Sequence, residues 1–183
     1  MKFIKTDLKD AFIIELEYFG DNRGKFARTF CKKEYQQINH HKEFVQFNFS
    51  QNTYKGALRG MHYQVSPSCE IKLVRCIKGK IYDVIIDIRE GSPTFLKHIG
   101  VELSEENDRM IYIPEGFAHG FQTLTNNCQL IYHHTGYYSP SDERGIRFND
   151  PLIGIQWPIE ITEMSEKDKN HKYLDTNFKG IKI

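Results

Sequence analysis

Long apolar runs are missing from this chain of 183 residues. The N-terminus, MKFIKTDLKD, lacks the hydrophobic core of a signal peptide, and no uncharged segment is long enough to span a bilayer. Lys and Arg number 25 against 24 Asp and Glu, so the basic excess typical of general nucleic-acid binders is also missing. We expect a soluble, cytoplasmic protein that binds neither membranes nor nucleic acids. A local site for a small phosphate ligand stays open, because net charge does not report on it.

Sequence motifs for disulfides, zinc and dinucleotides are equally scarce. No CxxC pair occurs, which favours reduced thiols over a disulfide or a zinc site for the four scattered cysteines, Cys31, Cys69, Cys76 and Cys128. No glycine-rich dinucleotide fingerprint is present either. The sequence therefore gives no sign of a bound nicotinamide, flavin or metal ion.

Short β-rich segments make up most of what is present. Five segments favour strand over helix: Ile71–Ile77, Ile81–Ile88, His98–Leu103, Met110–Ile113 and Gln129–Thr135. Lys78-Gly79 separates the first two and predicts a tight hairpin. Many short strands at close spacing favour a sandwich or barrel, and the length suits a single domain over residues 1–183.

Helical signals are few. Lys32–Asn39 favours one short helix, and Ser165–Asn170 another, with Ser165 in the position of an N-cap. The tail after Trp157 carries little strand signal, so we expect it to pack outside the sheets.

Strand alternation suggests a partner for one lysine. Lys72 lies on an apolar strand, Ile71–Ile77, and an unpaired buried lysine is costly. If this strand neighbours Ile81–Ile88, Asp83 can meet Lys72 across the hairpin. Asp83 is therefore predicted as a supporting partner of Lys72.

Four titratable residues stand out in β-rich contexts: His62, Lys72, His119 and Tyr132. Each alone has an ordinary structural explanation. A histidine in a turn such as RGMHYQ is usually structural or solvated, a single lysine often lies on an edge strand, a tyrosine often packs in a core, and His119 could cap a turn. Only the surrounding sequences favour chemistry.

Those sequences form an ordered series from about Ile4 to Asp168. The series comprises Phe19–Asp21 with Arg23-Gly24, Leu58–Gln64 (LRGMHYQ), Lys72–Arg75 (KLVR), Ile113–Phe121 (IPEGFAHGF), Tyr137–Pro140 (YYSP), Arg144–Arg147 (RGIR), Asp150-Pro151 and Gly154–Trp157 (GIQW). It closely resembles the dTDP-4-dehydrorhamnose 3,5-epimerase family. The resemblance implies an all-β, cupin-type jelly roll (a double-stranded β-helix) with a few short helices. It also implies a homodimer, no metal and no cofactor.

The resemblance further implies an activity and a set of roles. The family inverts C3 and C5, or C3 alone, of a nucleotide-linked 4-keto-6-deoxy sugar used in surface polysaccharides. His62 is similar to the general base, Asp168 to the carboxylate that orients it, Tyr132 to the general acid on the opposite face, and Lys72 to the cation beside the enolate. The positions that resemble the family's substrate-pocket residues are Arg23, Gln46, Asn48, Arg59, His119 and Tyr138.

These roles are chemically reasonable. A proton next to a ketone leaves only if the enolate oxygen is stabilised, and a fixed ammonium group does this. A histidine with an ordinary pKa of about 6.5 is a free base at neutral pH. Inversion then needs a second group, such as a tyrosine, that returns a proton to the other face.

Several residues depart from the family pattern. Lys25 occurs where an aromatic is usual, and Arg28 where a glutamate is usual; the forked donor of Arg28 would suit O6 and N7 of guanine. We therefore keep a GDP-linked substrate beside the dTDP-linked one, with the alternative that Arg28 faces phosphate or solvent. Further departures lie beside Asn48 and after Tyr132, and leave a longer sugar such as a 6-deoxy-heptose open: Phe47, Phe49, His133 and His134.

Three other functions remain as alternatives. A metal-dependent cupin needs clustered ligands such as His-x-His. His62 is followed by Tyr63 and Gln64, and adjacent His133 and His134 would point to opposite faces of a strand. A ketoisomerase would use related proton transfers in a similar cavity. A non-catalytic sugar-nucleotide binder would need none of the proposed acids and bases.

Overall fold

Antiparallel strands dominate the computed structural model, which describes residues 1–183. The strands are β1 (Lys2–Lys5), β2 (Phe12–Glu15), β3 (Tyr18–Asp21), β4 (Gly24–Ala27), β5 (Gln46–Asn52), β6 (Leu58–Gln64), β7 (Lys72–Lys78), β8 (Lys80–Asp87), β9 (His98–Ser104), β10 (Met110–Ile113), β11 (Phe117–Thr123), β12 (Cys128–His134) and β13 (Glu143–Gly145). The helices are α1 (Lys32–Tyr35), which continues into a 3₁₀ turn (Gln36–Ile38), and α2 (Glu166–Lys169). Neither α-helix could cross a membrane.

The strands form two large sheets and a small ribbon. The six-stranded sheet has the order β1-β2-β10-β7-β12-β5, the five-stranded sheet has the order β13-β6-β11-β8-β9, and β3 pairs with β4 alone. Sequential strands β7 and β8 lie in different sheets, as do β11 and β12. The chain thus alternates between two facing sheets, and the predicted all-β jelly roll with few helices is confirmed.

Strand alternation fills the space between the sheets. Val74 and Leu130 of the six-stranded sheet and Ile85 and Phe117 of the five-stranded sheet belong to one buried cluster. Because successive side chains point to opposite faces, their chain neighbours point away from this core.

Both outer faces are covered as well. Leu73 and Met110 pack beneath Tyr35 of α1. Val84 and Ile86 pack beneath the C-terminal segment, in a cluster that includes Ile153, Ile155 and, at its margin, Trp157, Leu174 and Phe178. The predicted position of the tail outside the sheets is confirmed.

The predicted hairpin at Lys78-Gly79 is wrong. Gly79, with a φ of +74°, joins β7 in one sheet to β8 in the other, so the segment is a corner between sheets. A Cβ at Gly79 would lie 2.6 Å from Thr125 Oγ1. The local sequence of a tight turn is the same whether the two strands it joins pair with each other or enter different sheets. Which of the two occurs depends on the other strands with which each of them pairs.

The other local expectations have mixed outcomes. All five predicted strands are present, and so are both predicted helices. Ser165 caps α2 as expected, since its Oγ accepts a hydrogen bond from the N–H of Asp168 at 3.1 Å. His62 and His119 lie within β6 and β11 rather than in turns. Gly60 and Gly120 weakened the strand signal in the sequence of β6 and β11. The structure requires both glycines, because the two strands approach closely there: a Cβ at Gly60 would lie 2.6 Å from Gly120 Cα.

Candidate active site

A cavity of about 540 Å³ lies between the two sheets. Its polar wall includes Asn48, Arg59, His62, Lys72, His119, Tyr132 and His134. A second cavity of about 520 Å³ also contains Arg59 and His62 and extends to Asp168 of α2. The two spaces therefore adjoin at β6.

His62 and Asp168 form a hydrogen-bonded pair where the cavities meet. His62 Nε2 lies 2.7 Å from Asp168 Oδ1, and Asp168 Oδ2 accepts the N–H of Gly60 at 3.1 Å. Burial of Asp168 opposes its ionisation, but the hydrogen bond and charge of His62 and the Gly60 N–H outweigh burial and lower its pKa. Asp168 is therefore a carboxylate at neutral pH, aimed at an imidazole that is about a third exposed.

His171 is a neighbour of this pair that the sequence did not reveal. Its Nε2 lies 3.5 Å from Asp168 Oδ1, and its ring meets that of His62 edge-to-face with centroids 5.8 Å apart. Gly145 makes room, since a Cβ there would lie 2.2 Å from the ring. Burial and the nearby His62 lower the pKa of His171, so it is neutral at pH 7. The sequence signal that could have identified His171 is its position three residues after Asp168, just beyond the end of α2.

These three side chains place donor atoms within 4.8 Å of one another, which is close enough to consider a cation. The 2.7 Å separation of His62 Nε2 from Asp168 Oδ1 is that of a hydrogen bond, with a proton between the two atoms. The arrangement thus fits an imidazole oriented by a carboxylate.

His119 and Asp83 form a second imidazole–carboxylate pair. His119 Nε2 lies 2.9 Å from Asp83 Oδ2, and Asp83 Oδ1 has no hydrogen-bond partner. Complete burial raises the pKa of Asp83 in spite of the opposing His119. The predicted direct pair of Asp83 with Lys72 is wrong. The two strands lie in different sheets, and Lys72 makes its ion pair with another residue.

That residue is Glu70, which the sequence reasoning also missed. Glu70 Oε1 lies 3.4 Å from Lys72 Nζ, and Glu70 Oε2 lies 2.8 Å from His134 Nδ1. His134 Nε2 lies 3.3 Å from Asn48 Nδ2. His133 points the other way and packs against Phe47, with ring centroids 4.7 Å apart, so the predicted divergence of the two histidines is confirmed.

Tyr132 lies between two of these histidines. Its ring is 6.2 Å from that of His119 at a steep angle and 6.0 Å from that of His134 at 22°. Burial, followed by the charge of Asp83, raises the pKa of Tyr132. The phenol therefore keeps its proton throughout the neutral range.

The remaining predicted binding residues fall into two groups. Asn48 lines the cavity, and Gln46 links it to Tyr138: Gln46 Nε2 donates to Asn48 Oδ1 at 3.3 Å, and Gln46 Oε1 accepts the Tyr138 N–H at 3.1 Å. Arg23 and Arg28 are not brought to the cavity. Arg23 pairs with Asp21 in the β3–β4 ribbon, and Arg28 pairs with Glu34, both at the surface.

Comparison with known proteins identifies the family. The family model described as dTDP-4-dehydrorhamnose 3,5-epimerase matches residues 5–176. The enzyme of that name from Shigella flexneri is 46% identical over 180 residues, which cover 97% of this chain and 99% of the relative. The enzyme from Methanothermobacter thermautotrophicus is 45% identical over 179 residues, covering 96% of each chain.

Solved structures agree. The dTDP-4-dehydrorhamnose 3,5-epimerase of Elizabethkingia anophelis superposes with a TM-score of 0.93 at 39% identity, covering 97% of this chain and 98% of that one. The Legionella pneumophila dTDP-6-deoxy-D-glucose-3,5-epimerase, in complex with dTDP-4-keto-L-rhamnose, superposes with a TM-score of 0.91 at 41% identity. The match covers 98% of this chain and 97% of that one. The cupin-type jelly roll predicted from the sequence is confirmed, and the chain belongs to the dTDP-4-dehydrorhamnose 3,5-epimerase family of isomerases.

Proposed function

We propose that this epimerase acts on a dTDP-linked 4-keto-6-deoxy sugar, with the sugar held between His62 and Tyr132. The observation that carries the proposal is the arrangement of His62, Lys72 and Tyr132 around one cavity, with a buried carboxylate behind His62. The relatives are named for dTDP-linked sugars. Arg28, the reason for considering guanine, pairs with Glu34 and lies outside this chain's own cavity.

Proton removal is assigned to His62. Its Nε2–H donates to Asp168, which leaves the lone pair on Nδ1 to take a proton from the carbon beside the ketone. The carboxylate fixes this tautomer and stabilises the imidazolium that forms. General-base catalysis of this kind contributes about 10² to 10⁴ in rate.

Stabilisation of the enolate is assigned to Lys72. Its side chain is 13% exposed, and Glu70 holds the ammonium group from one side. A fixed cation in a site with little water stabilises a developing oxyanion far better than a mobile one in bulk solvent. Arg59 lies in both cavities and is suited to the diphosphate, since its guanidinium offers paired donors.

Return of the proton is assigned to Tyr132. Inversion requires delivery to the face opposite the base, and β12 belongs to the sheet that faces the sheet of β6. The raised pKa keeps the hydroxyl protonated until the carbanion forms. The subsequent tyrosinate would regain its proton from solvent.

The test is isotope uptake in heavy water. The purified protein is incubated in heavy water with dTDP- and GDP-linked 4-keto-6-deoxy sugars, and the masses of the recovered nucleotide sugars are measured by mass spectrometry. Two deuteriums in the dTDP compound support exchange at C3 and C5, whereas one deuterium supports a single-centre epimerase. Uptake only in the GDP compound would contradict the dTDP assignment, and none in either would contradict the proposed reaction.

We also propose that the enzyme is a homodimer whose β3–β4 ribbon contacts a second copy. Phe19 and Phe26 on this ribbon are 75% and 72% exposed, and Arg23 beside them lies away from its own chain's cavity. Strand β1 leaves an edge of the six-stranded sheet free to pair. Sedimentation at micromolar concentration should give about twice the mass of the chain. A monomer would contradict the dimer.

A further inference from the structure

A third imidazole–carboxylate pair faces the same cavity and has no role in the proton transfers described above. His134 and Glu70 are nearly buried, with side chains 9% and 7% exposed. Their separation of 2.8 Å matches the bonds that hold His62 and His119. The buried carboxylate therefore holds the imidazole in a fixed orientation at the cavity wall.

The pair leaves a defined acceptor. Lys72 and His134 both contact Glu70, and although burial opposes its ionisation, these contacts lower its pKa and keep it a carboxylate. Glu70 therefore accepts the Nδ1–H of His134, and in this tautomer the lone pair of the ring is on Nε2. The neighbour of that lone pair is the amide nitrogen of Asn48 at 3.3 Å, which is longer than the usual 2.9–3.0 Å of an N–H bond.

The position of this acceptor points to the sugar. His134 follows Tyr132 by two residues on β12, so both side chains lie on the cavity face, and their rings are 6.0 Å apart. Lys72 is the cross-strand partner of His134 on β7. His134 is thus a neighbour of both groups assigned to the reacting part of the substrate. A lone pair on a ring nitrogen suits a hydroxyl donor and offers nothing to an anionic phosphate.

We propose that His134 Nε2 accepts a hydrogen bond from a hydroxyl group of the substrate's sugar ring, which makes the His134–Glu70 pair a determinant of sugar recognition. The inference depends on the proposed function for the placement of the sugar between His62 and Tyr132. Asn48 would then yield its weak contact with His134 to the entering hydroxyl.

Binding of two unreactive probes tests this assignment by calorimetry. dTDP-glucose carries the sugar hydroxyls, and dTDP carries none of the sugar. His134→Phe keeps a stacked ring but removes the acceptor, and should weaken dTDP-glucose about tenfold while dTDP changes less than twofold. His134→Gln restores an acceptor oxygen and should recover part of the loss. His133→Phe, on the outer face of the same strand, should change neither affinity and is the matched control.

Three results would overturn the inference. These are unchanged affinity for dTDP-glucose in His134→Phe, equal weakening of both probes, or a loss in His133→Phe as large as that in His134→Phe. Circular dichroism melting verifies that each variant is folded. If the loss of the His134 partner of Glu70 unfolds His134→Phe, the double variant Glu70→Gln/His134→Phe is measured against Glu70→Gln and must show the same selective loss.

The assay separates this inference from the proposed reaction, because it needs no turnover. Selective loss of dTDP-glucose binding together with no deuterium uptake would leave the sugar contact standing and overturn the epimerase chemistry. Deuterium uptake by the unaltered enzyme together with equal weakening of both probes in His134→Phe would support the epimerase chemistry and overturn the sugar contact. Failure of both probes to bind the unaltered enzyme would overturn both.

Discussion

His62 and Asp168 are separated by 106 residues in the sequence, yet Nε2 of the one lies 2.7 Å from Oδ1 of the other. The first is in the middle of a strand, and the second is on a one-turn helix capped by Ser165. The same carboxylate accepts the backbone N–H of Gly60, two residues before His62. Asp168 is thus anchored to the strand whose imidazole it orients, and movement of α2 would disturb both contacts together.

Asp168→Asn should lower turnover about 10²-fold to 10³-fold, because an amide can neither hold the reactive tautomer nor stabilise the imidazolium. The measurement is the rate of deuterium uptake from heavy water. Glu166→Gln, on the same helix but exposed and paired only with Lys169, is the control and should keep its rate within twofold. Equal rates in the Asp168 variant and the unaltered enzyme would remove this carboxylate from the mechanism.

His62→Ala should abolish measurable turnover while dTDP affinity falls only severalfold, since the ring is assigned to proton removal and Arg59 to the diphosphate. Isotope uptake and calorimetry measure the two effects separately. His171→Asn alters the neighbouring histidine, whose side-chain polar contact with Asp168 is long at 3.5 Å, and should retain most activity. Full activity in His62→Ala would overturn the assignment of the base.

Tyr132→Phe should separate exchange from inversion. Removal of the hydroxyl leaves His62 able to take and return a proton on its own face, so deuterium still enters the sugar. The epimerised product, measured by NMR, should fall at least about 100-fold. Tyr137→Phe, on an exposed residue of the following loop, is the matched control. Normal product formation in Tyr132→Phe would move the acid role to another group.

Asp108→Asn should destabilise the fold in a pH-dependent way. Lys25, a departure from the family pattern, bonds Asp108 at 2.7 Å and lies 4.4 Å above the Tyr18 ring, while Arg75 bonds the other carboxylate oxygen. Burial opposes ionisation of Asp108, but Lys25, Tyr18 and Arg75 lower its pKa to about 2. At pH 7 the variant should lose about 2 kcal/mol of unfolding free energy.

The sign of the pH effect follows from that lowered pKa. The contribution of the Asp108 carboxylate to the free energy of unfolding is complete above about pH 3.9, the pKa of an aspartate in the unfolded chain. It is lost as the pH falls through about 2, the pKa in the folded protein. Urea unfolding at pH 7, 4 and 2.5 should therefore show a constant difference between the proteins down to about pH 4, and a smaller one below. Asp7→Asn, at an exposed position, should show none. A difference at pH 2.5 as large as the difference at pH 7 would contradict the role of the carboxylate charge.

Sequence reasoning succeeded where the information is local. Their β-branched and apolar composition predicted the segments of β7, β8, β9, β10 and β12, because strands with both faces covered are rich in such residues. Ser165 predicted the start of α2, because a cap and the helix it begins are adjacent in the chain. The ordered motifs around His62, Lys72, His119 and Tyr132 identified the family and brought forward residues that do face one cavity.

The residue pairs were decided by the tertiary structure. Asp83 bonds His119 instead of Lys72, since Gly79 sends β8 into the opposite sheet. Glu70, His134 and His171 gain their neighbours from the register of β12 on β7 and from the return of the tail beside β13. The sequence by itself determined the segments of these five strands, which of their faces are apolar and which family the chain belongs to. Sheet order and register alone decided which charged groups meet. Several pairings of the same charged residues would neutralise their charges equally well, and only the assembled sheets bring one set of partners within hydrogen-bond distance.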